Sequence, residues 1–202
     1  SDGTFDFVNN KNGMKDYPQN SHHKVRSLTI DKEGSVWAGT TDGLIVMSYE
    51  NNEAKISKAT EQPEPSKRLQ CNDIICLKCD ANGTIWIGTN GGGLSHCKGK
   101  DENGFYAFET LGSKDGLPSD EIKSLTFDNT GDVWFATDHI ICSYDIQKKV
   151  LSTYSFQDGV DDTFCSERTA LSTPDGNILI GTQNGYYFVD CKKLTTHSGS
   201  VL

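Results

Sequence analysis

"DANGTIWIGTNGGGL", Asp80 to Leu94, sets a tight turn, a short strand and a second glycine-rich turn side by side. On its own it reads as a calcium loop, a phosphate-cradling loop or one unit of a repeat. The pattern returns as "DKEGSVWAGTTDGL" from Asp31, "DNTGDVWFATDHII" from Asp128 and, more weakly, "TPDGNILIGTQNGY" from Thr173. Four copies decide for a repeat, whose period has to be fixed before any single motif is read. The turn glycines Gly34, Gly83, Gly131 and Gly176 lie 49, 48 and 45 residues apart.

Each unit reads as four short strands. The first is "VRSLTI", "IICLKC", "IKSLTF" or "RTALS", and the turn after it closes on Glu-Gly, Asn-Gly, Thr-Gly or Asp-Gly, pairs suited to a hairpin. The second strand is "VWAGT", "IWIGT", "VWFAT" or "ILIGT". The third is "LIVMSY", "LSHC", "IICSYD" or "YYFVD", and the fourth is "AKISKAT", "FYAFET" or "VLSTYSF". No helical period persists, so the class is all-β. Four antiparallel strands per 45–50 residues is the spacing of a β-propeller blade. The expected layout is an outer strand and linker from a preceding blade over 1–24, then blades over 25–72, 73–120, 121–164 and 165–191. A tail over 192–202 leads towards a following domain.

The bulk composition agrees and narrows the function. A net charge of −9 over 202 residues argues against nucleic acid as a partner, because phosphate recognition needs a basic face. Only 35% of residues are apolar, but 20 glycines and 5 prolines suit regularly punctuated strands. No apolar run approaches the roughly 20 residues that span a bilayer. The chain opens inside patterned sequence and without Met, so it is expected to be an excerpt of a longer protein. Seven cysteines cannot all pair with one another, and their spacing is not that of a small disulfide scaffold.

The recurring residues have structural work to do. Trp37, Trp86 and Trp134 recur on the second strand, where a large ring fills the wedge between blades, and Leu179 takes that place in the fourth unit. Gly39, Gly88 and Gly181, with Ala136 as the small substitute, suit close backbone approach. Thr40, Thr89, Thr137 and Thr182 are placed to bond the adjacent turn. The pattern Asp-x-x-Gly-x-x-Trp-x-Gly-Thr followed by Gly-Leu resembles the two-component regulator propeller repeat. "DGLPSDEIKSLTFD" resembles that family's link between blades, and the likeness runs over about residues 22–190. The resemblance implies a periplasmic sensor region of a membrane-spanning hybrid histidine kinase, often from Bacteroidetes that scavenge polysaccharide. The membrane span and kinase would then belong to the parent sequence. "FCSERTALSTPDGNILIGTQNGYYFVD" is similar to the family's closing blade.

The opening stretch is therefore architectural. Asp80 and Asn82 offer too few oxygens for a calcium loop, and "NGGGL" opens no helix that would hold phosphate. Neither a metal nor a cofactor is expected. Cys76 and Cys79 form a C-x-x-C, but residues three apart on a strand point to opposite faces. His22, His23, His96, His139 and His197 show no metal-ligand spacing. One column carries more information. Eight residues before each turn glycine stand Arg26, Ile75, Lys123 and Arg168, at the start of the inner strand that lines a propeller's channel. Linkers feeding that end carry His22, His23, Ser119, Asp120, Glu121, Asp161, Asp162 and Glu167. The favoured reading is a self-neutralised polar rim. The functional reading is a pocket for a sugar or an anionic oligosaccharide gripped by arginine forks, with Tyr186 and Tyr187 as nearby stacking candidates.

The function expected from all this is ligand recognition without catalysis, a glycan biasing a distant kinase. A rigid spacer or dimerisation platform is the alternative, and a propeller lyase a third. The ends pose a separate question, because four blades in an open arc leave two wedge faces bare. Either Thr4 to Val8 completes blade four in a closed four-bladed ring, or two chains join into an eight-bladed one. The homodimer is the expected answer.

Overall fold

The computed structural model describes residues 14–50, 53–194 and 200–201. The Thr4–Val8 strand and His197 lie outside the described residues. Blade one contains β1 (Val25–Ile30), β2 (Val36–Thr40), β3 (Gly43–Glu50) and β4 (Glu53–Lys58), paired antiparallel in that order. Blade two repeats it with β5 (Ile74–Cys79), β6 (Ile85–Thr89), β7 (Leu94–Lys100) and β8 (Tyr106–Leu111). Blade three has β9 (Ser124–Phe127), β10 (Val133–Ala136), β11 (Ile141–Asp145) and β12 (Val150–Tyr154). Blade four shows β13 (Leu171–Ser172), β14 (Ile178–Thr182) and β15 (Gly185–Val189). This is an all-β propeller segment of four blades.

Two details depart from the expected strand plan. The tail, expected to lead towards a following domain, ends in β16 (Ser200–Val201), which pairs with β12 and adds a fifth strand to blade three. Among the described residues blade four has three strands, and its inner one is shorter than "RTALS". Arg168 stands at φ 60°, outside strand geometry. The Thr169 hydroxyl accepts the Gly181 N–H at 3.1 Å, taking a bond that a strand carbonyl would otherwise accept.

The turns explain the repeat's spelling. Gly34, Gly83, Gly131 and Gly176 have φ between 84° and 92°, a region costly for any residue with a Cβ. Asp80 Oδ1 accepts the Asn82 and Thr84 amides at 2.8 and 2.9 Å, while Oδ2 accepts the Trp86 indole N–H at 3.1 Å. Asp31 and Asp128 hold Trp37 and Trp134 in the same way, at 2.7 and 2.9 Å. One carboxylate thus closes the turn and orients the wedge ring. In the fourth unit both change together. Leu179 has no side-chain N–H to satisfy, and Thr173 Oγ1 closes the turn by accepting the Asn177 amide at 3.0 Å. The threonines at the end of the second strand also bond their turns, as Thr89 Oγ1 does by donating to Gly93 O at 3.0 Å.

Three apolar clusters sit between blades. Trp37, Leu44 and Val46 of blade one meet Leu77 and Ile87 of blade two. Trp86 and Leu94 meet Leu125, Phe135 and Cys142 of blade three. Trp134 and Ile141 meet Ile178 and Ile180 of blade four. Each of the first three blades therefore offers an outgoing face, built around its tryptophan, to the incoming face of the next. Gly88 leaves no room for a side chain, since a Cβ there would stand 2.4 Å from Cys76 Sγ on the paired strand β5 and 2.9 Å from Ile122 Cγ2 before β9. Cys76 and Cys79 do point apart. Cys76 is buried in the cluster between blades two and three, and Cys79 packs against the one between blades one and two.

Candidate functional site

The cation column sits where the strand ladders are irregular. Register shifts between Val25 and Ser27 and between Ile74 and Cys76, so Arg26 and Ile75 occupy bulges on β1 and β5. A bulge re-aims the side chain it carries, which is why bulges recur beside binding sites. In the other two blades the column residue precedes the strand. The Lys123 amide donates to Ala136 O at 2.8 Å, and the Arg168 amide donates to Lys123 O at 2.9 Å. The Arg168 guanidinium then reaches blade one, where Nη1 donates to Arg26 O at 3.0 Å. Arg168 thus bonds to the backbone carbonyls of both Lys123 and Arg26. Ile75 is buried and interrupts the set.

Each cation has a carboxylate of its own. Arg26 pairs with Asp73 at 2.9 Å, and Lys123 pairs with Glu121 and with Asp138 at 3.1 Å. Burial pulls the Lys123 ammonium down, but bonds from Glu121 and Asp138 outweigh it and hold its pKa above the ordinary lysine value. Arg168 pairs with Glu167 at 3.3 Å. Exposure separates the three, since the side chains of Arg26 and Lys123 are 17% and 16% exposed and that of Arg168 is 43%. Arg168 is the accessible cation of the set, and its positive φ fixes the direction in which it leaves the backbone.

The other expected site residues are placed elsewhere. Asp120 Oδ1 accepts the Ser113 amide at 2.6 Å, and its carbonyl accepts the Gly91 and Gly93 amides, so it staples the link after blade two to the β6–β7 turn. His22 is buried against the blade-one turn, its amide donating to Asp42 Oδ2 at 2.9 Å and its Nδ1 2.7 Å from Ser21 Oγ. Burial lowers its pKa. His23 is exposed. Tyr187 is tied to Asp161, and burial with that bond raises its pKa to about 12. Tyr186 lies on the outgoing face of blade four. Sequence reasoning missed Asp73 and Asp138. Asp138 follows Thr137 in the β10–β11 turn, which antiparallel pairing returns to the end where β9 begins.

A cleft of about 590 Å³ opens between blades three and four, lined among others by Asp128, Trp134, Tyr154, Asp175 and Lys192, and no column residue lines it. Among the described residues no group of three or more His, Cys, Asp or Glu is arranged to hold a metal ion.

Strand order, the Asp–Trp pairs and the interblade clusters define a propeller built from one repeated blade. Two stretches, residues 68–91 and 116–139, match the family model of the two component regulator propeller. The chain is 24% identical over 166 residues to histidine kinase P4 of Formosa agariphila, an alignment covering 82% of this chain and 12% of that protein. Its fold is similar to the extracellular domain of a hybrid two component system from B. thetaiotaomicron, with a TM-score of 0.69 and 24% identity. That match covers 87% of this chain and 23% of the other. Virginiamycin B lyase from Staphylococcus aureus shares the fold at a TM-score of 0.57 and 16% identity, over 84% of this chain and 56% of the lyase. The chain thus spans a small part of its two-component relatives.

Proposed function

We propose that this chain is a ligand-recognition segment of an extracytoplasmic sensor, within the periplasmic part of a hybrid two-component regulator, and that its ligand is an acidic oligosaccharide. The observation that carries this reading is the exposed guanidinium of Arg168, a residue bonded to the backbone carbonyls of Lys123 and Arg26. The Arg168–Glu167 pair is open to solvent, and such pairs are worth about 0–1 kcal/mol. A ligand carboxylate or sulfate can therefore replace Glu167 at small cost and gain the planar fork of an arginine. The repeat match and the two-component relatives support the sensor context, with the membrane span and kinase supplied by the parent protein. The chain acts by binding alone. A ligand that prefers one arrangement of the propeller shifts the equilibrium the kinase reads, by no more than its differential affinity.

The pairing of every column cation with a carboxylate favours a second reading, a rigid spacer whose rim is neutralised internally. Calorimetric titration with uronic-acid, sulfated and neutral oligosaccharides of equal length separates the two. Binding of a charged series that weakens with salt supports the sensor, whereas heat-silent titrations with all three support the spacer. Turnover of the added sugars to unsaturated products would instead mean a lyase.

A further inference from the structure

The link into blade four carries an aromatic ring where the two preceding links carry a carboxylate. Backbone bonds fix the correspondence. The Asn90 amide donates to Asp73 O at 2.8 Å and the Gln183 amide to Phe164 O at 3.0 Å, each tying the residue after the second-strand threonine to the link of its own blade. The Lys123 amide donates to Ala136 O and the Ser166 amide to Gly181 O, both at 2.8 Å, so Glu121 and Phe164 each stand two residues before matching positions. Asp73 and Glu121 use the place to neutralise Arg26 and Lys123. Phe164 has no charge to offer, and its ring lies against the His139 imidazole, 4.1 Å between centroids.

The ring faces the rim and not the core. Its neighbour Cys165 is buried in the cluster between blades three and four, and successive side chains of an extended chain point to opposite sides. Phe164 is 47% exposed. The side chains of Asp73 and Glu121 are 28% and 31% exposed although another blade follows each, so this position stays open within the array. His139 belongs to the β10–β11 turn, beside the Asp138 that pairs with Lys123, and its Nδ1 lies 3.3 Å from Asp162 Oδ1. Arg168 leaves the same link four residues after Phe164, within about 14 Å even for fully extended chain.

We propose that Phe164 is the stacking platform of the Arg168 site, taking the apolar C–H face of a pyranose ring while Arg168 takes the carboxylate of the same oligosaccharide. The proposal rests on the acidic-oligosaccharide reading given above. A bare aromatic by itself is ordinary on a protein surface. This one replaces a rim carboxylate, is backed by a second ring and shares its link with the exposed guanidinium. Flat apolar area beside a few placed polar groups is the usual composition of a small-ligand site. A carboxylate or sulfate of any kind satisfies Arg168, so the platform is what distinguishes a sugar acid from a simple anion.

The test is calorimetric titration of wild type, Phe164→Ala, Phe164→Trp and Arg168→Ala with a uronic-acid oligosaccharide and with glutarate, at low and high salt. Phe164→Ala is expected to weaken the oligosaccharide at least fivefold at both salt concentrations, because an apolar contact is not screened, whereas the factor lost in Arg168→Ala shrinks as salt rises. Phe164→Trp should bind as wild type does, glutarate should bind more weakly than the oligosaccharide, and both Phe164 variants should keep the wild-type melting temperature. Unchanged affinity in Phe164→Ala with a loss in Arg168→Ala overturns the platform and leaves the oligosaccharide reading standing. A loss in Phe164→Ala that Phe164→Trp does not restore, or that comes with a lowered melting temperature, also overturns it, because the ring then packs the rim. An oligosaccharide that does not bind wild type sinks both readings.

Discussion

Asp80 is the residue on which one repeat turns. Its two oxygens serve two backbone amides and one indole N–H, so removing them leaves the part-buried Thr84 amide and Trp86 indole N–H short of a partner, while water can take the exposed Asn82 amide. Unsatisfied groups of this kind cost about 1–3 kcal/mol, and Asp80→Ala should lose stability in that range by urea unfolding. Trp86→Phe removes the N–H and should cost less in the Asp80→Ala background than in wild type, by about 1 kcal/mol, as coupled neighbours do. Strict additivity would show that the carboxylate does not orient the ring. The sequence displays this unit openly, because Asp and Trp recur six apart three times and are replaced together by Thr173 and Leu179. Spacing alone does not say that the carboxylate bonds the ring. It reads equally as a turn cap beside an unrelated core aromatic.

At the scale of the element, a blade is stabilised less by its own ladder than by what lies between blades. Trp86 is 2% exposed, stacks on His96 at 4.8 Å and joins the cluster shared with blade three. Large-to-small changes at such positions cost about 3–5 kcal/mol, and Trp86→Ala should fall there. Tyr49→Ala, at a side chain 68% exposed, should stay within about 0.5 kcal/mol. Chemical denaturation of both variants checks the contrast, and a loss below about 1 kcal/mol at Trp86 would mean that the wedge is misassigned. Strand positions were legible because alternation and turn residues fix the period. The inner strand of blade four was legible only in part, since the left-handed Arg168 and the Thr169 side-chain bond are tertiary choices with no local spelling. The β16–β12 pairing was not legible either, because two residues carry no pattern of their own.

For the whole molecule, the repeat period gives the architecture and the column gives the place where blades converge. Counting eight residues back from each glycine picks out Arg26, Lys123 and Arg168, and Arg168 bonds to the backbone carbonyls of the other two. Their carboxylate partners are not picked out in this way, because Asp73 and Asp138 approach from a linker and a neighbouring turn that only folding brings to the column. The same is true of Asp120 and His22, whose hydrogen bonds commit them to loop and turn structure. What distinguishes Arg168 is therefore a property of the fold, an exposed guanidinium held by its amide bond to Lys123 O and its Nη1 bond to Arg26 O in two other blades. The most direct measurement is calorimetric titration of Arg168→Ala with a uronic-acid oligosaccharide that binds wild type, alongside its melting temperature. Loss of a hydrogen-bonded ion pair at a ligand carboxylate should weaken binding by at least tenfold, about 1.4 kcal/mol, while the melting temperature stays nearly unchanged. Unaltered affinity in Arg168→Ala would contradict the account.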